Sequence, residues 1–353
     1  MTAPAHNRHE ETAQTGRRVI NLALQGGGAH GAFTWGVLDR LLEDDKIGIE
    51  AISGTSAGAI NAAVLAQGHL KGGAAGARAE LDRFWHRISE IGLISPIHRG
   101  WLERAVGSWN IDESPSAIWV NQLTQLVSPY QLNPLNLSPL RDLLASMLDW
   151  TSLTGEDAIQ LFIAATNVRT GKARIFDRHE LSLDALLASA CLPQMFQAVV
   201  IEGEAYWDGG YMGNPSLWPL IYHSASRDIV LVQINPLTRD GVPHTAAEIT
   251  NRLNEITFNA SLMSEMRAMA FVARLIAADG KHPEVARLKH MLIHMIEAEA
   301  AMEALGVASK MNTDLDFLLY LKELGRRTAG RWLEQNFAAL NHYSSIDVRK
   351  VFL

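Results

Sequence analysis

The sequence predicts an α/β fold in three layers, with a mainly parallel β-sheet and helices on both of its faces. Short apolar runs at residues 19–24 and 50–53 have the length of buried strands, and each is followed by a segment with helical spacing, at residues 32–42 and 57–66. This alternation is typical of parallel sheets covered by helices. The 353 residues are 48% hydrophobic, which is enough to bury one large core.

The same pattern continues along most of the chain. One segment, residues 288–296, fits either element, because Met291, Ile293 and Met295 alternate as in a strand while its flanks also suit a helix. We favour the strand, since it continues the strand–helix order. The other segments are strands at residues 160–165, 173–176, 198–201 and 228–234, and helices at residues 183–190, 245–277 and 314–337.

Breaks in this pattern predict the domain organisation. Residues 1–17 are polar and predict a disordered tail, and residues 18–345 predict one domain. Within this domain we expect a helical insertion or cap at residues 71–150, with a loop at 128–139, and a C-terminal helical extension at 245–340. The insertion contains five tryptophans, which either pack a loose cap or face lipid or substrate: Trp85, Trp101, Trp109, Trp119 and Trp150.

Composition excludes several classes of protein. The net charge of −7 argues against nucleic acid as the main partner. The single cysteine, Cys191, allows neither an internal disulfide nor a cysteine-rich zinc site, and a buried apolar position is favoured over a catalytic one. No secretory leader and no run of apolar residues long enough to cross a membrane is found. We therefore expect a cytoplasmic protein, with peripheral membrane contact left open.

The sharpest local motif is Gly54-Thr-Ser-Ala-Gly58, which lies between a predicted strand and a predicted helix. A nucleophilic serine needs a sharp strand-to-helix turn that exposes its hydroxyl, and flanking glycines keep such a turn free of steric clash. The following helix also directs its N–H groups and positive dipole end at developing negative charge. Ser56 is therefore a candidate nucleophile.

A glycine run, Gln25-Gly-Gly-Gly-Ala-His-Gly31, lies at the first predicted strand-to-helix junction. Backbone N–H groups in such a run can hold the oxyanion of ester hydrolysis. The spacing of Gly26, Gly28 and Gly31 also matches the dinucleotide-binding fingerprint, but the acidic residue that this site needs at the end of the second strand is absent, because Glu50 lies at the start of that strand. We favour the oxyanion loop.

The third motif is Trp207-Asp-Gly-Gly210, which predicts a tight turn carrying Asp208. An Asp-Gly-Gly sequence alone is an ordinary turn. Together with the other two motifs, it makes Asp208 the natural partner of Ser56.

These three motifs, in this order, resemble the patatin-like phospholipase family. A fourth stretch, Ala188-Ser-Ala-Cys-Leu-Pro-Gln-Met-Phe196, is similar to the segment that precedes the aspartate turn in that family. The resemblance covers roughly residues 19–236. It implies a patatin-like fold with a Ser56–Asp208 catalytic dyad and an oxyanion hole built from Gly26, Gly27, Gly28 and Ala29.

The resemblance also implies the chemistry. We expect hydrolysis of phospholipid, lysophospholipid or another fatty-acyl ester through an acyl-enzyme, with no metal or organic cofactor. Two alternatives stay open: transfer of the acyl group to another acceptor, and a regulatory scaffold without activity. The sequence favours neither a monomer nor an oligomer.

Histidines are the remaining question. The family usually has Arg or Lys after the glycine run, where this chain has His30, which is only partly charged near neutral pH. We favour a loop-ordering role for His30 over a role as a base. His290 and His294 have a spacing that could bind metal on a helix, but no third ligand is apparent.

Overall fold

An eight-stranded sheet forms the middle layer in the computed structural model, which describes residues 17–92, 109–112 and 114–353. The predicted tail, apart from Arg17, and residues 93–108 of the predicted insertion, with Trp101, lie outside these residues. The strands are β1 (Arg18–Leu24), β2 (Ile47–Thr55), β3 (Gln160–Asn167), β4 (Ala173–Phe176), β5 (Val199–Ile201), β6 (Glu204–Asp208), β7 (Asp228–Val232) and β8 (Leu292–Ile296).

Five of these strands run parallel in the spatial order β3–β2–β1–β7–β8. Strands β4 and β6 pair antiparallel with β3, and β5 pairs antiparallel with β6. The mainly parallel sheet is therefore confirmed. The strand predicted within residues 288–296 is also confirmed, because β8 is fully buried and pairs along its length with β7.

Helices cover both faces of the sheet, as predicted. Side chains alternate along each strand, so Leu22 and Leu24 join one apolar cluster while Ala23 joins the other. The α-helices found in the described ranges are α1 (Gly31–Glu43), α2 (Ala57–Gly92), α3 (Pro115–Leu126), α4 (Pro129–Leu132), α5 (Pro139–Met147), α6 (Trp150–Leu153), α7 (Leu183–Ser189), α8 (Trp218–His223), α9 (Ala246–Asp279), α10 (Glu299–Glu303), α11 (Leu315–Asn336) and α12 (Val348–Phe352).

The first cluster contains side chains of α1, α2, α7 and α11, and the second contains side chains of α8, α9 and α12. Phe317, Leu321 and Trp332 of α11 are buried against the rest of the first cluster. The C-terminal residues thus supply a strand and a helix to the core. The predicted limits of the insertion and of the C-terminal extension stay a prediction.

Two glycines bend α2 where the sequence predicts a break. Gly72 and Gly73 have non-helical backbone angles, with φ of +58° at Gly73, and the chain then resumes as a helix to Gly92. Beyond the bend, Phe84 and Trp85 are buried in the core. The first part of the predicted insertion is therefore a core helix rather than a cap.

Serine–proline pairs start three of the next four helices. Ser114, Ser128 and Ser138 are the N-caps of α3, α4 and α5, and each is followed by proline at the first helical position. Residues 128–139, predicted as a loop, therefore include the short helix α4. The prediction is wrong here because the same residues that favour loops also start helices.

Candidate active site

The ends of two strands meet on one edge of β3. Thr55 of β2 pairs with Ala164, and Asp208 of β6 pairs with the next residue, Ala165. Strand β4 pairs with both alanines and therefore occupies the opposite edge, so β6 continues the line of β2. This register brings Ser56, which follows Thr55, close to Asp208 although 152 residues separate them (208 − 56).

Ser56 occupies the sharp turn between β2 and α2. Its φ is +53°, a conformation that side chains other than glycine rarely adopt and that often marks a functional residue. Gly58 makes the turn possible, because a Cβ there would overlap the carbonyl oxygen of Leu24. Helix α2 begins directly after Ser56, so its unpaired first N–H groups lie beside this serine.

The segment 188–196 holds both predicted catalytic residues in place. The Ser189 hydroxyl accepts a hydrogen bond from Ser56 N (2.9 Å), and the Cys191 carbonyl accepts one from Asp208 N (2.8 Å). Ser189 is fully buried. The sequence indicates this segment only through its family resemblance, and no local pattern distinguishes Ser189 as a positioning residue.

Asp208 is completely buried. Its Oδ1 accepts a hydrogen bond from Gly210 N (2.7 Å). Burial raises the pKa of Asp208 to about 6, while the Gly210 N–H, the Ser56 hydroxyl and the Lys310 charge act in the opposite direction. A carboxylate with this pKa is ionised at neutral pH yet more basic than an exposed one, which suits a general base.

The second carboxylate oxygen of Asp208, Oδ2, is buried and has no hydrogen-bond partner of ordinary geometry among the described residues. The Ser56 hydroxyl lies close enough to influence the pKa of Asp208, but it does not complete a hydrogen bond of normal length and angle. Loose contacts of this kind are common in catalytic sites without substrate and tighten in the reacting complex.

The glycine run forms a loop between β1 and α1, beside Ser56. A Cβ on Gly26 would lie 2.7 Å from Ser56 Cβ, so only glycine allows this approach. The N–H of Gly26 already donates to Asn214 Oδ1 (2.7 Å). The prediction that Gly26 is an oxyanion donor is therefore wrong, because its donor is occupied. Its role is to anchor the loop.

The backbone N–H groups of the next three residues have no hydrogen-bond partner among the described residues. No hydrogen bond within the described part of the chain uses the N–H of Gly27, Gly28 or Ala29, which start the 3-10 turn Gly28–His30. These N–H groups and those at the start of α2 are the donors that remain for an oxyanion near Ser56. Their assignment to an oxyanion hole stays a prediction.

The protein family of this chain follows from a match to a known family model. The family model of patatin-like phospholipases matches residues 22–221, more than half of the chain. The chain belongs to the patatin-like phospholipase family. The matched residues include the glycine loop, Ser56 and Asp208. The chain is therefore a lipid acyl hydrolase by family. Among curated proteins, none matches this sequence.

The solved structures that match this chain are distant from it. VipD from Legionella pneumophila is 15% identical, with 90% of this chain and 67% of VipD covered and a TM-score of 0.39. ExoU in complex with SpcU, from the type III secretion system of Pseudomonas aeruginosa, is 18% identical, with 91% and 52% covered and a TM-score of 0.38. This chain spans about half the length of ExoU.

His30 of this patatin-like phospholipase is buried and neutral. Burial, and then the nearby Lys310 charge, keep the pKa of His30 well below its usual value. The Ser309 hydroxyl donates to the Gly306 carbonyl (2.6 Å), so His30 Nε2 donates to Ser309 Oγ (2.7 Å). The geometry favours the loop-ordering role of His30, with no fixed positive charge at this position.

The other predicted alternatives find no support in the geometry. The Glu50 carboxylate binds the N–H groups of Ala225 and Ser226 (2.6 and 2.7 Å), away from the glycine loop. His294 lies on a strand and its Nε2 contacts Asp228 Oδ1 (2.9 Å), so the helical spacing assumed for a metal site does not apply. Burial raises the pKa of the Cys191 thiol to about 11, which leaves it a poor nucleophile.

A substitution at Gly28 tests the loop. Gly28 has φ of +58°, and a Cβ there would overlap the Lys310 carbonyl oxygen. We expect Gly28→Ala to lower the free energy of unfolding by more than about 2 kcal/mol, through backbone strain and the overlap, and to reduce kcat. Gly171→Ala is the matched control, since Gly171 has φ of +66° with no atom within 4 Å of its Cβ position. Equal losses in the two variants, measured by chemical denaturation, would refute the close approach.

Proposed function

We propose that the protein hydrolyses fatty-acyl esters of lipids through a Ser56–Asp208 dyad. One observation carries the proposal: Ser56, on its strand-to-helix turn, lies beside the buried carboxylate of Asp208. No histidine in the described ranges forms a hydrogen bond to either residue, which favours a dyad over a histidine-based triad.

The proposed reaction has two halves. Asp208 accepts the proton of Ser56 Oγ while Oγ attacks the acyl carbonyl, and the oxyanion takes hydrogen bonds from N–H groups of the glycine loop. Collapse of this intermediate breaks the ester bond, and the leaving alkoxide takes the proton from Asp208. Water then attacks the acyl-enzyme and gives a proton to Asp208, and Asp208 returns this proton to Ser56 Oγ as the bond to the acyl group breaks and the fatty acid leaves.

The substrate class is tested by a screen of p-nitrophenyl esters of graded chain length beside phospholipids and lysophospholipids. We expect release of free fatty acid from lipid substrates, with no added metal. Addition of an alcohol acceptor tells hydrolysis from transfer, because transfer yields a new ester in place of the free acid. Absence of turnover on every ester would contradict the proposal and favour the inactive scaffold.

Contact with a lipid surface is supported by an uncharged segment. Residues 114–140 contain no Asp, Glu, Lys or Arg, although about five are expected in 27 positions of a chain that is 20% charged. Seven large hydrophobic side chains are exposed here, and we call them the apolar patch: Ile118, Trp119, Leu126, Tyr130, Leu132, Leu135 and Leu137. Exposed apolar patches mark interaction surfaces, and Trp and Tyr favour the interface of lipid and water.

The apolar patch is joined to the proposed site. The Tyr130 hydroxyl accepts a hydrogen bond from Ala198 N (3.2 Å), and Gln197 Nε2 donates to the Asn133 carbonyl (2.7 Å). The Gln197 carbonyl in turn accepts from Cys191 Sγ. Because segment 188–196 supports both Ser56 and Asp208, a lipid surface at the patch would lie beside the site. Among the described helices, none has both the length and the hydrophobicity to span a membrane.

Charge on the apolar patch should weaken binding to lipid vesicles. Leu126 and Leu135 are 84% and 78% exposed, so Leu126→Glu with Leu135→Glu should leave the fold intact. We expect at least about tenfold weaker sedimentation with phosphatidylcholine vesicles, since each buried leucine contributes about 2 kcal/mol, and unchanged turnover of a soluble short-chain ester. Val242→Glu, at a residue 74% exposed outside the patch, is the control. Vesicle binding equal to that of the control would contradict this surface.

A further inference from the structure

Lys310 is a partly buried cation with neutral partners. It lies on the 3-10 turn Val307–Met311, beyond the residues that the family model matches. Its Nζ donates to Asn235 Oδ1 (2.8 Å) and Asn254 Oδ1 (2.6 Å) and lies 5.4 Å from the centre of the Phe258 ring. Within the described residues, no carboxylate comes within 4 Å of this ammonium group. A partly buried charge without a direct counter-ion loses hydration that no ion pair replaces.

The turn that carries Lys310 packs against the glycine loop. The Lys310 carbonyl oxygen fills the space that a side chain at Gly28 would need. Asn235, which accepts from Lys310 Nζ, donates through Nδ2 to the Gly26 carbonyl (3.1 Å). Both the backbone and the side chain of Lys310 therefore fix the glycine loop, which approaches Ser56 at Gly26.

The charge of Lys310 acts on Asp208. The Phe258 ring, under Lys310 Nζ, packs against Gly210, and Gly210 N donates to Asp208 Oδ1. The positive charge of Lys310 favours the ionised form of Asp208 and so lowers the pKa of Asp208. Burial has the opposite and larger effect on this pKa. Burial lowers the pKa of Lys310 itself to about 8, so it is mostly charged at neutral pH.

The other carboxylates that face Lys310 already have partners. Glu255 accepts hydrogen bonds from Arg239 through both of its carboxylate oxygens and also pairs with Arg252. Asp112 accepts hydrogen bonds from Asn251 Nδ2 and Ala308 N. Asp208 Oδ2 alone among these carboxylates has no partner of ordinary geometry in the described structure. The remaining titratable groups that face Asp208 or Lys310 are neutral at pH 7: His30, Cys191 and Tyr211.

We propose that Lys310 is a positioning residue for the dyad: its ammonium group holds Asp208 in the ionised form, and its turn fixes the oxyanion loop. This inference rests on the proposed function of Ser56 and Asp208. It also accounts for the neutral histidine after the glycine run, because the positive charge comes from the C-terminal part of the chain, 254 residues beyond Ser56 (310 − 56).

Two substitutions in the full chain test the inference with a soluble ester. Lys310→Met should lower kcat about tenfold with little change in KM, and the acidic limb of the pH–rate profile should move to higher pH, because loss of the positive charge raises the pKa of Asp208. Lys310→Arg should restore the acidic limb. It should also restore most of kcat, because a guanidinium group carries the same charge.

Lys322→Met is the control, since Lys322 is also partly buried, pairs with Asp82 and lies over the Trp35 ring, away from the dyad. It should leave kcat and the acidic limb unchanged. An unchanged kcat and acidic limb in Lys310→Met, with Ser56→Ala inactive, would overturn the role of Lys310 and leave the proposed function standing. If Lys310→Met fails to fold, Lys310→Gln takes its place, because glutamine keeps a hydrogen-bond donor without the charge, and an unchanged kcat and acidic limb in that variant overturn the role instead. Full activity of Ser56→Ala would refute the proposed function itself.

Discussion

Replacement of Ser56 by alanine is expected to lower kcat for acyl-ester hydrolysis by at least about 10⁴-fold, because the variant lacks the atom that forms the acyl-enzyme. The residual rate would come from the oxyanion donors and from binding alone. KM should change little, since the hydroxyl removed is small and its loss leaves the glycine loop and the surrounding helices in place. Steady-state kinetics on the best ester from the screen measure kcat and KM for the variant and the wild type.

Stability separates loss of chemistry from loss of fold. The Ser56 backbone N–H, not its hydroxyl, makes the hydrogen bond to Ser189, so Ser56→Ala keeps that contact. The free energy of unfolding should therefore stay within about 1 kcal/mol of the wild-type value. Ser264→Ala, at an exposed serine on α9, is the control and should match the wild type in both measurements. A Ser56→Ala variant with more than a tenth of the wild-type kcat would exclude Ser56 as the nucleophile.

Replacement of Asp208 by asparagine is expected to lower kcat about 10³-fold or more while making the protein more stable. The amide cannot accept the proton of Ser56, so general-base catalysis is lost. In the wild type, the rate should fall below about pH 6, where Asp208 becomes protonated. The residual activity of Asp208→Asn should lack this acidic limb.

The gain in stability follows from the raised pKa. An unfolded aspartate titrates near pH 3.9, whereas Asp208 titrates near pH 6 in the folded protein. The folded state therefore binds the proton more tightly, and wild-type stability is lost as pH rises from about 4 to about 6. The effect amounts to at most about 3 kcal/mol. Asparagine does not titrate and avoids this loss.

Urea denaturation at pH 3.5 and at pH 8 provides the measurement. We expect the stability of Asp208→Asn to approach that of the wild type at the lower pH and to exceed it by about 1 to 3 kcal/mol at pH 8. Asp184→Asn, at a carboxylate that is 47% exposed and paired with Arg141, is the matched control and should show no such gain. A variant less stable than the wild type at pH 8 would mean that the buried carboxylate stabilises the fold.

Sequence alone predicts the elements whose pattern is strong. The apolar runs that become β1, β3 and β7 need burial on both faces, and only a parallel sheet covered by helices provides it. The glycines around Ser56 can also be recognised in the sequence, because a turn this tight excludes other side chains. The positions of Ser56 and Asp208 were therefore predictable, whereas their contact depends on the register of β3.

Other parts of the site have no local pattern. Strand β6 contains Glu204, Ala205, Tyr206, Trp207 and Asp208, which lack the apolar run of a buried strand, so only the turn after it was predicted. The occupied donor of Gly26 depends on Asn214, far along the chain. Lys310 approaches Asp208 only through the packing of the 3-10 turn against the glycine loop. Such long-range contacts are set by tertiary structure and leave no signal at short spacing.

The central claim is that Ser56 is the nucleophile that carries the acyl group. The most direct measurement is reaction of the purified protein with a fluorophosphonate probe, followed by mass spectrometry of the peptides. We predict one adduct, on the peptide that contains Ser56, with labelling lost in Ser56→Ala and strongly slowed in Asp208→Asn. Labelling at another residue, or no labelling of a folded protein that hydrolyses esters, would contradict the account.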